Sequence, residues 1–121
     1  MSDPVQKIAA LLNTFKFNFS GEIELQDGIE IILKRGGFTF QREVPLGGRK
    51  NIIDFLIEPG IGLEVKIQSG LSEVTRQLYR YAESDQITHL ILVTSRMRHI
   101  QIPATLVEKP LTVIHLIGSV F

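Results

Sequence analysis

Residues 51–67 read NIIDFLIEPGIGLEVKI, and the Pro59-Gly60 dipeptide in the middle marks a turn between two apolar runs. If the runs are strands folded about Pro59 as an antiparallel hairpin, opposed positions sum to a constant and Asp54 faces Glu64. Side chains alternate along a strand, so Ile53, Phe55, Ile57, Leu63, Val65 and Ile67 are expected on one face and Asp54, Glu64 and Lys66 on the other. Opposed β-carbons lie only roughly 4.5 to 5.5 Å apart, where like charges repel. A half-buried hairpin with a polar outer face accounts for the alternation and leaves that repulsion unrelieved. A divalent cation relieves it, because Mg²⁺ is a hard ion held through one or two carboxylates together with phosphate oxygens. Lys66, two residues beyond Glu64, is then placed to orient a water and to stabilise charge developing on phosphorus.

Outward from the hairpin, the apolar spacing predicts the remaining elements. Upstream, Val5, Ile8, Leu12 and Phe15 give a short helix over Pro4 to Phe15, with Ser2 or Asp3 as cap. Leu25, Ile29, Ile32 and Leu33 give a second helix from about Gly21 to Arg35, stopped by Gly36-Gly37 and weakened by Gly28. Phe38 to Val44 alternates and reads as a strand, so the hairpin strands are Asn51 to Ile57 and Gly62 to Ile67. Downstream, Leu71, Val74, Leu78 and Tyr81 form the stripe of a helix over Leu71 to Glu83. A buried strand at Ile87 to Thr94, a short helical turn near Ala104 to Val107 and a last strand at Leu111 to Ile117 complete the chain. This order implies an α/β fold with a central mixed sheet flanked by helices.

The composition excludes several chemistries. The 121 residues, 44% hydrophobic and 21% charged, suit a single domain over residues 1–121. There is no cysteine, so no disulfide, thiolate zinc site or cysteine nucleophile is available. The longest apolar runs, such as Ile87 to Val93, are too short to span a bilayer, and no signal-peptide pattern opens the chain; a cytoplasmic protein is expected, with no membrane partner. His89, His99 and His115 lack paired ligand spacing, and no G-x-S-x-G elbow is present.

The formal charge is zero, against a protein that coats nucleic acid by bulk attraction. Yet Glu22, Glu24, Asp27 and Glu30 form an acidic block, while Lys34, Arg35, Arg42, Arg49, Lys50, Lys66, Arg76, Arg80, Arg96 and Arg98 follow it. A fold gathering them would give a basic groove around an acidic pocket; scattered solvated charges are the alternative.

The run Ile53-Asp54, nine intervening residues, then Glu64-Val65-Lys66 resembles the signature of the PD-(D/E)XK nuclease superfamily, an acid on one strand followed by acid-x-Lys on the next. Gln77-Leu78-Tyr79-Arg80-Tyr81 resembles the Q-x-x-x-Y element on the following helix in exonuclease-like members. Glu22 stands where the Holliday-junction-resolvase branch places an extra glutamate, and by helical phase it is preferred over Glu24. Position 53 is Ile where the family has Pro.

The resemblance covers roughly Gly21 to Ile117 and implies a restriction-endonuclease-like α/β/α core, DNA as partner, Mg²⁺ with Mn²⁺ as substitute, and a homodimer. It implies Asp54, Glu64, the Val65 carbonyl and Glu22 as metal ligands, Lys66 for the attacking water, and Gln77 to support Lys66 or a phosphate. Tyr81 continues the apolar stripe and is expected to pack. Arg76 and Arg80 share a helix face that suits phosphate contact as well as solvation, and Arg49 and Lys50 precede the strand of Asp54 in a Gly-rich loop. The rival reading is a catalytically inactive nucleic-acid-binding or protein-interaction module with the same fold.

Overall fold

A computed structural model describes residues 3–15, 21–48, 51–95 and 101–116; Arg49, Lys50, Arg96, Arg98, His99 and Ile117 lie outside them. The first helix, α1 (Pro4–Thr14), is capped by Asp3, whose Oδ1 accepts the Val5 N–H at 2.9 Å. It buries Val5, Ile8 and Leu12. Phe15, expected on the same stripe, is the C-cap residue in extended backbone and lies exposed.

The second helix, α2 (Glu22–Arg35), buries Leu25, Gln26, Ile29, Ile32 and Leu33. It ends because Gly37 takes φ +79°, which lets the Phe38 N–H reach the Leu33 carbonyl and the Gly37 N–H the Lys34 carbonyl. That motif uses Phe38, and the first strand, β1 (Phe40–Pro45), starts later than the sequence pattern suggests.

The hairpin forms as β2 (Ile52–Ile57) and β3 (Ile61–Lys66). It is followed by α3 (Leu71–Ala82), β4 (His89–Thr94), β5 (Thr105–Leu106) and β6 (Lys109–His115). The sheet runs β1-β2-β3-β4-β6-β5. The pairs β1·β2, β2·β3 and β5·β6 are antiparallel, whereas β3·β4 and β4·β6 are parallel.

One face is covered by α1 and α2, whose apolar residues pack on Phe55, Ile57, Leu63, Val65, Ile91 and Val93. The other is covered by α3, with Val74, Leu78 and Tyr81 against Ile53, Leu90 and Leu92. The result is the expected three-layer α/β/α arrangement, and β3, buried on both faces, reads as a nearly continuous apolar run. No described helix is long and apolar enough to cross a membrane.

Two expectations are overturned. Ile53 does not share the face of Phe55 and Ile57 but packs in the α3 layer, its Cδ1 filling the space over Gly62 where a β-carbon would meet it at 2.5 Å. The segment around Ala104 to Val107 is no helical turn: β5 pairs back onto β6 through Leu106↔Lys109, with Val107 at φ +50° and Glu108 at φ +61°. A two-residue hairpin with both central residues left-handed usually announces itself as Asn-Gly, and Val-Glu carries no such signal.

The same mismatch gives a prediction. Replacing Val107→Asn together with Glu108→Gly puts residues tolerant of positive φ into the turn and is expected to raise unfolding free energy by about 1 kcal/mol in urea titrations.

Candidate functional site

The β2·β3 ladder is regular from Ile57↔Ile61 to Phe55↔Leu63, and Asp54 and Glu64 are the next residues of the two strands beyond it. There the backbone exchange is replaced by side chains. The Asp54 N–H donates to Glu64 Oε1 at 3.0 Å, and the Val65 N–H donates to Asp54 Oδ2 at 2.8 Å. Each carboxylate thus takes a donor from the other's strand. The opposition expected from the hairpin is present, with the two acids held together between the strands.

Glu64 is only 2% exposed. The Tyr81 hydroxyl stands 3.2 Å from its Oε2 and 2.8 Å from the Ile52 carbonyl oxygen, and donates to one of them at a time. Gln77 Nε2 donates to the Tyr81 oxygen at 2.8 Å. Lys66 Nζ lies 3.4 Å from Glu64 Oε2.

Burial, and then the neighbouring Asp54 charge, push Glu64 up to about 8 against the pull of Lys66. Burial likewise raises Asp54, assisted by the Glu22 charge and opposed by the Val65 N–H and Lys66. Tyr81 is pushed up by burial and by both carboxylates. The cluster holds more acid than its single lysine balances.

Glu22 joins from the first turn of α2, where its Oε2 accepts the Ile67 N–H at 3.0 Å, just past Lys66. Glu24 is exposed, whereas the Glu22 carboxylate reaches the end of β3. An open cleft of about 470 Å³ borders this junction, lined by Gly21, Glu22, Ile67, Gln68 and Ser69. A larger cavity of about 600 Å³, lined by Thr39, Leu56, Pro59 and Thr88 among others, lies at the hairpin turn and not at the carboxylates. Among the described residues, no three His, Asp or Glu side chains form a ready-made metal cage. Mg²⁺ is commonly bound by one or two carboxylates, with water and phosphate completing its shell.

Three expectations change. The Gln77 amide is bonded to Tyr81, not to Lys66, so its influence reaches the carboxylates through the phenol. Tyr81 is not packing alone: fully buried, it also brings a hydroxyl to Glu64, and its place four residues after Gln77 was the signal. Arg42 does not contribute to a basic groove, because it is clamped by Gln26, Asp27 and Glu30 at 2.9 to 3.0 Å and lies over the Phe55 ring. Arg76 and Arg80 are exposed, and Arg80 Nε donates to Asn51 Oδ1 at 3.2 Å. His115 Nε2 sits 3.1 Å from the Ser95 carbonyl and His89 Nδ1 3.2 Å from Thr88 Oγ1, as satisfied sheet residues.

The buried acid pair sets a pH dependence. The folded chain keeps a proton on Glu64 that the unfolded chain, with an ordinary carboxyl near 4.5, releases. Between these values the folded state binds more protons, so stability falls as pH rises from about 4.5 to about 8. Urea midpoints measured in EDTA across that window are expected to decline, and Glu64→Gln is expected to flatten the decline. No family model, curated protein or solved structure matches this chain, and the functional reading therefore stands on these side chains and their geometry.

Proposed function

We propose that this chain is a metal-dependent nuclease that hydrolyses phosphodiester bonds in DNA in the manner of the PD-(D/E)XK enzymes, as a cytoplasmic homodimer. The observation that carries the proposal is the pairing of half-buried Asp54 with buried Glu64, held between β2 and β3 with Lys66 Nζ 3.4 Å from Glu64. An ordinary half-buried hairpin gains nothing from bringing two carboxyl groups together away from water, whereas a cation site requires them.

The donor set fits a hard divalent ion. Asp54 Oδ2 and Glu64 Oε1 accept backbone N–H groups, which leaves Asp54 Oδ1 for a cation. In extended backbone the N–H and C=O of one residue point to the same edge, so the Val65 carbonyl shares the edge on which its N–H meets Asp54. Asp54, Glu64, the Val65 carbonyl and Glu22 would hold Mg²⁺ or Mn²⁺, which when bound supplies Lewis-acid stabilisation of phosphate charge and a more acidic water.

Lys66 orients the attacking water and faces the negative charge that grows on phosphorus. The water oxygen attacks in line and the opposite P–O ester bond breaks; the attacking water's proton passes to bulk water, and the leaving oxygen takes up a proton from bulk water. Tyr81, anchored by Gln77, fixes the carboxyl plane of Glu64. A second copy extends a surface too short in one 121-residue chain to follow duplex or branched DNA.

Supercoiled, linear, single-stranded and four-way-junction DNA incubated with Mg²⁺ or Mn²⁺, and with EDTA, test this. Cleavage is expected only with metal and is expected to fall about 10²-fold or more in Lys66→Ala. Tyr81→Phe keeps the ring and loses the hydroxyl; it is expected to slow cleavage about tenfold and to lower stability by about 1 kcal/mol. DNA retarded in a gel but never cut, under any of these metals, would replace the nuclease with the binding module.

A further inference from the structure

At Asp54, β2 breaks its alternation. Phe55 faces the α1·α2 layer while Ile53, two residues back, faces the α3 layer. The neighbouring edge strand breaks at the same level: Arg42 points to α2, and Val44 packs in the α3 layer. The register Arg42↔Phe55 and Val44↔Ile53 leaves Glu43 facing Asp54. Glu43 has φ +53°, the left-handed region, in the middle of a strand and without being glycine.

The three observations have one geometric cause. A left-handed residue rotates the chain beyond it, so the residues on either side of it face opposite layers. Paired β2 follows that rotation, because Val44↔Ile53 and Pro45↔Ile52 stay in register with Arg42↔Phe55. With the rotation, Asp54 turns its N–H to Glu64 and its carboxylate to the Val65 N–H on β3. In a regular strand Ile53 would lie beside Phe55 under α2, and Asp54 would share the face of Leu56.

We infer that Glu43, through its left-handed backbone and not through its exposed side chain, is the positioning residue that swings Asp54 into the gap between β2 and β3. The inference deepens the nuclease reading and rests on it for the purpose of the swing, but the swing itself is a property of the metal-free chain. Glu43 touches neither Glu64 nor Lys66 and acts on the site only through its partner strand. Local rotations of this kind, placed beside a site, re-aim one side chain at the expense of strand regularity.

The test compares Glu43→Gly, Glu43→Gln and Glu43→Val by urea unfolding and by amide hydrogen exchange without metal. Glycine adopts positive φ freely, so Glu43→Gly is expected to raise the urea midpoint, whereas glycine in a regular strand lowers it. A lowered midpoint overturns the inference even if Glu43→Val fails to fold. A β-branched residue resists positive φ. In Glu43→Val the Val65 amide is expected to exchange at least about tenfold faster, while the amides of Leu90 to Val93 in the core keep their protection. Uniformly faster exchange would mark a merely structural role and overturn the inference, as would a Val65 amide unchanged in Glu43→Val. Glu43→Gln is expected to match the parent chain, and a changed Val65 amide there would assign the effect to charge and overturn the backbone account. If the exchange pattern holds and the parent chain cuts no DNA, the nuclease reading fails while the positioning of Asp54 stands.

Discussion

The exchange of carboxylates for carbonyls at the end of the β2·β3 ladder is the interaction from which the rest of this structure is arranged. Asp54 and Glu64 each accept a backbone N–H from the other's strand. Burying two acids is unfavourable unless each is paired and hydrogen-bonded, and here the backbone, Tyr81 and Lys66 provide those partners.

Each layer of the fold contributes one element to that point. The α3 layer brings Tyr81, whose ring fills the core and whose hydroxyl is fixed by Gln77 one turn earlier. The α1·α2 layer brings Glu22, placed because the first turn of α2 abuts the end of β3 at Ile67. The parallel pairing of β3 with β4, running from Ile61↔His89 to Lys66↔Thr94, braces β3 from the other side. In open α/β sheets, ligands bind beyond the carboxyl ends of strands, and Lys66, Ile67 and Glu22 meet at that end of β3.

The acidic block of α2 has two separate duties. Its first member turns to the site, whereas Asp27 and Glu30, with Gln26, hold Arg42 over Phe55 and so tie the edge strand to the helix layer. That clamp lies one residue before Glu43, where the edge strand rotates. Charge that looks like one cluster in the chain is thus divided by helical phase between the end of β3 and the clamp on Arg42.

The element order, the hairpin about Pro59 and the opposition of Asp54 to Glu64 were legible in the sequence, because turn chemistry and period-two alternation are local properties. So was the inward phase of Glu22 on α2, since it follows from the spacing of Leu25 and Ile29. The face taken by Ile53, the hydroxyl of Tyr81, the capture of Arg42 and the hairpin at Val107-Glu108 were decided only by tertiary structure. Each depends on a partner far away in the chain or on a backbone angle that its residue type does not favour: Gly62 makes room for Ile53, Glu64 receives Tyr81, and Glu43, Val107 and Glu108 are left-handed without being glycine. Alternation assumes an unbroken strand, and the strand is broken where Asp54 must turn.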